Sequence, residues 1–173
     1  MWQILGTGLL LLLPAVPVTA ATKSTTFTTT ATITGGCIFG SGPVAGSTNA
    51  GTINFGTLAD LRNAVNMTST AGAGSVVVTC TPGLSVSVAL DYGLNGGSAS
   101  ARYMKSSAGG TIAYQLYQNA TRTTVWGTGA LARTVASFPV TTQTWPVYAQ
   151  LVATGTSPAA GTYTDTVTVT LTY

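Results

Sequence analysis

Histidine and glutamate are absent from this chain of 173 residues, and only 5% of it is charged, with six Lys or Arg against three Asp. Those absences exclude most enzyme chemistry. General acid–base catalysis near neutral pH recruits His or paired carboxylates. A Ser-His-Asp triad has no His to be built on, which leaves only a Ser-Lys arrangement formally open. Asp60, Asp91 and Asp165 lie far apart in sequence. A glycosidase pair needs only that two carboxyl groups meet in space, but Asp at turns and strand ends usually caps backbone. With no His and only Cys37 and Cys80 as thiols, a metal site lacks ligands. The cations Lys23, Arg62, Arg102, Lys105, Arg122 and Arg133 are scattered, and a nucleic-acid binder needs a clustered basic footprint. GTGALA at 127–132 fits G-x-G-x-x-A but has no strand-to-helix context, so it reads as a glycine-bearing turn. The chain therefore predicts no catalytic residue, no cofactor, no metal and no nucleic-acid partner.

What is present is Thr, Ser, Gly, Ala and Val, with 45% hydrophobic residues, too many for a disordered chain. A surface made of hydroxyls rather than Glu and Lys suits strands, where Thr and Val pack on a pleated face. Residues 1–20, MWQILGTGLLLLLPAVPVTA, read as a secretory signal. Leu9 to Leu13 form its apolar centre, Pro14 and Pro17 interrupt any bilayer-spanning helix, and Val18 and Ala20 fit cleavage after Ala20. An even cysteine count in an exported chain favours a disulfide between Cys37 and Cys80 over a metal or catalytic thiol. Such a bridge is worth about 4 kcal/mol in the chain-entropy picture. The acceptor patterns NMT at 66–68 and NAT at 119–121 matter only in a host that glycosylates them.

Alternation and turn residues predict seven or eight short strands and no helix. Strands are expected at 52–58, 75–80, 84–93, 101–106, 111–119 and 144–153, the last carrying Pro146 as the mark of an edge or bulge. Residues 63–74 read as a loop or weak strand and 120–134 as a loop. GTYTDTVTVTLTY at 161–173 reads as one final strand with Tyr163, Val167, Val169, Leu171 and Tyr173 on one side. Near the start, Phe27, Thr29, Ala31 and Ile33 share a face of an extended run. The pattern predicts a two-sheet β-sandwich or a barrel in a single domain.

Several blocks in order carry a family resemblance: GC at 36–37, INFGTL at 53–58, VTC at 78–80, VALDYG at 88–93, RYMK at 102–105, IAYQLYQNATRTTVWG at 112–127, PVYAQL at 146–151 and the closing GTYTDTVTVTLTY. Together they resemble the spore coat protein U domain, the subunit domain of Csu-type, or archaic, chaperone–usher pili. The resemblance implies an all-β fold, an incomplete immunoglobulin-like β-sandwich completed by a donor strand from another subunit. It divides the chain into a signal peptide at 1–20, an N-terminal extension at 21–35 that serves as donor, and a pilin domain at 36–173. Phe27, Thr29, Ala31 and Ile33 would enter a neighbour's groove, and Val167, Val169, Leu171 and Tyr173 would line the edge gripped first by a periplasmic chaperone. The implied partners are identical or related pilins, that chaperone and an outer-membrane usher. The implied destination is a cell-surface pilus, reached through the periplasm and used in attachment and biofilm formation. A short alternating run does not reveal its partner, so residues 25–33 also fit the first strand of their own domain. Two other functions compete: a monomeric secreted or periplasmic binding module, which needs a complete sheet, and a tip-proximal adapter or adhesin.

Overall fold

The computed structural model describes residues 22–40 and 49–173. The expected signal segment lies outside them. The chain divides after Ile33. Residues 22–33 hold no strand and their side chains are exposed.

From Thr34 onward the fold is all-β. Its strands are β1 (Cys37–Phe39), β2 (Val65–Thr68), β3 (Val76–Cys80), β4 (Val86–Leu90), β5 (Arg102–Ser106), β6 (Thr111–Tyr117), β7 (Arg133–Val135), β8 (Gln143–Trp145), β9 (Tyr148–Leu151), β10 (Tyr163–Thr164) and β11 (Val169–Thr172). They form three antiparallel sheets, in the orders β1-β3-β8, β10-β5-β6-β9-β2 and β11-β4-β7. Among the described residues no helix is long and apolar enough to cross a membrane.

All three sheets turn apolar side chains into one core. Strand alternation does this directly in β3, which buries Val76, Val78 and Cys80, and in β4, which buries Val86, Val88 and Leu90. Tyr114 and Leu116 of β6, Trp145 of β8, and Ala149 and Leu151 of β9 complete the inner faces. Each fully buried large side chain contributes about 1.5–3 kcal/mol. Trp126, also fully buried, donates its indole N–H to the Val88 carbonyl at 2.9 Å, so its polar atom costs nothing to bury. Phe138 meets Trp145 edge-on, with ring centroids 6.4 Å apart.

The structure revises three sequence expectations and decides a fourth that was left open. The segment 52–58 forms no strand, although Ile53 and Phe55 alternate half-buried and pack on the core. The region read as a loop or weak strand contains β2, which pairs with β9. The run 144–153 is two strands in different sheets: β8 is the edge of one, and after Pro146, β9 sits inside the five-stranded sheet. Proline lacks the N–H that a continuing ladder would need, so the chain changes sheets there. The closing segment likewise breaks into β10 and β11, which belong to different sheets.

Candidate functional site

The site is a pair of free sheet edges. β11 pairs with β4 through Val169↔Leu90 and Leu171↔Val88, and among the described residues nothing pairs with its other side. β1 pairs with β3 through Cys37↔Cys80, Ile38↔Thr79 and Phe39↔Val78, and among the described residues its other side also has no strand partner. The other edges of these two three-stranded sheets are β7 and β8. Those two are tied together by Arg133 of β7. Its guanidinium lies 5.3 Å from the Trp145 ring of β8 and 5.9 Å from that of Trp126.

β1 and β11 instead converge on the start of β4. Thr172 pairs with Ser87 there, and Gly35, just before β1, packs on Leu84 so closely that a Cβ would lie 3.0 Å from its Cδ2. Phe39, Leu84, Val167, Val169 and Leu171 lie along this flank, each packed on the core yet only half-buried. Half-buried aliphatic side chains beside unpaired backbone N–H and C=O groups are what an edge presents when it lacks a neighbouring strand.

Three of the four residues expected at this edge, Val167, Val169 and Leu171, therefore share one inward face. Tyr173 lies one position beyond β11 and is 61% exposed. The expected disulfide joins Cys37 to Cys80, residues that already face each other across the β1–β3 ladder. It fixes β1, the shortest of the supports beside this flank, to the core strand β3. Phe27, Thr29, Ala31 and Ile33 belong to the separate leading unit and are exposed, Phe27 by 87% and Ile33 by 89%.

A polar cluster that sequence reasoning missed holds the terminal segment in place. Arg102 is fully buried. Its guanidinium donates to the carbonyls of Asp91 at 2.9 Å, Leu90 at 3.3 Å and Trp126 at 2.7 Å, and to Gln115 Oε1. It also lies 5.2 Å from the centre of the Tyr92 ring. Burial pulls its pKa down, opposed by the nearby phenols and carboxylates. Asp91 Oδ1 accepts N–H bonds from Gly93 at 3.0 Å and from Thr168 at 2.9 Å. Partial burial works against its charge, but those bonds and Arg102 hold its pKa below the ordinary carboxylate value. Asp165, between β10 and β11, accepts from the Tyr114 hydroxyl at 2.6 Å, from Leu94 N–H at 2.9 Å and from Asn95 Nδ2 at 3.0 Å. Burial and this carboxylate push the Tyr114 phenol far above its usual value.

Both carboxylates are thus engaged as backbone and side-chain acceptors that fasten residues 165–168 to the turn after β4. The cue available in sequence was economy. In a chain so poor in charge, two of three Asp and one Arg fall in the blocks VALDYG, RYMK and the closing segment, which is how a single network reads when written along the chain.

The family model described as "Spore Coat Protein U domain" matches residues 23–170. Protein U of Myxococcus xanthus is 32% identical over 167 residues, covering 91% of this chain and 88% of that protein. Among solved structures, a match with TM-score 0.55 and 26% identity covers 82% of this chain. It is to the CsuC–CsuE chaperone–tip adhesion subunit pre-assembly complex from archaic chaperone–usher Csu pili of Acinetobacter baumannii. This chain spans only 40% of the length of the matched chain.

Proposed function

The chain belongs to the spore coat protein U domain family, and from that premise we propose that it is a structural subunit of a chaperone–usher pilus, polymerised by donor-strand complementation. The observation that carries this reading is the free β11 edge, with Val167, Val169 and Leu171 half-buried beside it. An extended segment laid along that edge satisfies main-chain donors and acceptors and covers the aliphatic side chains in one step. A chaperone strand occupies the edge first, and residues 22–34 of another subunit replace it during passage through the outer-membrane usher. Phe27, Thr29, Ala31 and Ile33 form the inward face of that donor. The product is a cell-surface fibre that supports attachment and biofilm formation.

The proposal is tested by deleting residues 22–33 from the mature chain. The truncated subunit is expected to co-purify with the chaperone at wild-type yield and to add no further subunit to a growing fibre. Fibres of unchanged length would reject the donor role and favour a monomeric binding module.

A further inference from the structure

The strand lent in that reaction has a second face. On the closing segment, every even position from 162 to 172 is Thr and every one is exposed, while the inward set is odd-numbered. The leading segment repeats the parity: positions 26, 28, 30, 32 and 34 are all Thr, also exposed, opposite Phe27, Thr29, Ala31 and Ile33. In the sheet β11-β4-β7 a row of hydroxyls already crosses the outer surface. Thr172 faces Ser87, and Ser87 faces Thr134. The row stops at the free edge of β11.

We propose that this outer surface is a docking face for the even-numbered threonines of residues 26–34 of a second copy, which extend the hydroxyl row by one strand and carry a large share of the hold between subunits. The inference rests on the donor reading above. Residues directly opposite in neighbouring strands point to the same side of a sheet whichever way the strands run. A donor that turns Phe27 and Ile33 inward must therefore turn its threonines outward, beside Thr170 and Thr172. Repeats lie about 6.8 Å apart along each strand and neighbouring strands about 4.8 Å apart. Threonines at that separation exchange hydroxyl bonds and methyl contacts, worth about 1.4- to 5-fold in an equilibrium constant per facing pair.

The inward face alone is a weak anchor, since Thr29 and Ala31 bury little apolar area. A uniform threonine row has a specific physical consequence. It fixes which face of the donor turns outward, but it tolerates a slip of two residues, so register falls to Phe27 and Ile33.

The test is a double-mutant cycle on assembled fibres of the full mature chain, read as the dissociation rate in denaturant. One set is Thr28→Ala, Thr30→Ala and Thr32→Ala in the donor; the other is Thr170→Ala and Thr172→Ala on the edge. The cycle cancels what alanine does to each strand by itself. Each set is expected to speed dissociation, and the combined variant to fall short of the product of the two by about two- to thirtyfold. Should the alanine edge fail to assemble, Thr170→Ser and Thr172→Ser keep the hydroxyls and serve in its place, and their fibres must dissociate within about threefold of wild type. Coupling below about twofold, or serine fibres as labile as a bare edge, overturns the threonine face. A Phe27→Asp, Ile33→Asp chain serves as the separate control: its failure to polymerise upholds the donor reading, and its normal polymerisation overturns that reading and the threonine face together.

Discussion

Arg102 shows how a chain with so few charges uses one of them. A guanidinium presents a planar fork of donors that a lysine ammonium cannot reproduce. Here the fork meets three carbonyls and an amide oxygen from the end of β4, the turn after it, β6 and the Trp126 loop. Replacing it with Met keeps approximate volume but leaves those buried acceptors without donors, at about 1–3 kcal/mol for each that water cannot reach. Arg102→Met is therefore expected to cost at least about 3 kcal/mol and lower Tm by about 6–12 °C, measured by thermal unfolding of the chaperone-free subunit; a loss under 1 kcal/mol would show that the network is incidental. Gly93 belongs to the same cluster. It has φ +78°, and a Cβ there would lie 1.9 Å from Asp165 Oδ2, so only glycine admits the carboxylate. Asp91 adds a pH dependence whose sign follows from its depressed pKa. Its unfolded value is 3.8 and its folded value is lower. Its stabilisation is complete above 3.8 and is lost as pH falls through the folded value. Asp91→Asn keeps the Oδ1 acceptor but cannot titrate. Melting temperatures of wild type and variant are thus expected to differ most above pH 4 and to converge as the pH falls through the lowered folded value, whereas parallel curves throughout acid titration would remove Asp91 from the acid response.

At the level of elements, strand alternation made β3 and β4 legible, because each has a fully buried face that imposes strict parity on its residues. β6 forms where alternation expected it, but Tyr114, Gln115 and Leu116 are buried in succession, because Gln115 is held by Arg102 and the Ala99 carbonyl. The reading failed where a run of alternating residues serves two sheets. Residues 163–172 keep one parity throughout, yet the ladder passes from β5 to β4 in their middle, and period-two patterning carries no record of which partner each half meets. The network around Arg102 left only the thin cue of charge economy for a similar reason: its members are spread from Asp91 to Thr168 and converge only in space. Val167, Val169 and Leu171 pack half-buried on the core, and that face yields a prediction at the same scale. Val169→Asp with Leu171→Asp puts two carboxylates beside the core on an edge that an apolar strand covers in the proposed assembly, and an unpaired carboxylate buried there is costly to desolvate. The periplasmic chaperone is expected to lose its grip, and soluble subunit to fall at least about tenfold, followed by immunoblot of periplasmic extracts. Thr170→Asp, on the outer face of the same strand, is the matched control and is expected to accumulate nearly as wild type. Equal yields from all three chains would contradict the edge assignment.

For the molecule as a whole, the question is how much stability its free edges withhold. The core is continuous, the disulfide fastens β1 to β3, and Arg133 closes the β7–β8 side. The β1–β11 flank combines unpaired backbone with half-buried Phe39, Leu84, Val167, Val169 and Leu171. Anything that binds the folded form and not the unfolded one raises stability by mass action, and a tethered strand does so at high effective concentration. Attaching a second copy of residues 22–34 after Tyr173 through a flexible Gly/Ser linker therefore converts the intermolecular event into an intramolecular one. Burying Phe27 and Ile33 contributes about 1.5–3 kcal/mol each, which with the added main-chain bonds corresponds to a rise in Tm of about 10–20 °C. The same fusion carrying Phe27→Asp and Ile33→Asp in the appended copy is expected to melt like the unfused chain. The native fusion is further expected to stop accepting donors from other subunits, because its groove is already filled. A fusion that melts no higher than the bare subunit, or that polymerises as before, would mean that the fold needs no strand from outside and that its free edges are merely the rim of a finished sandwich.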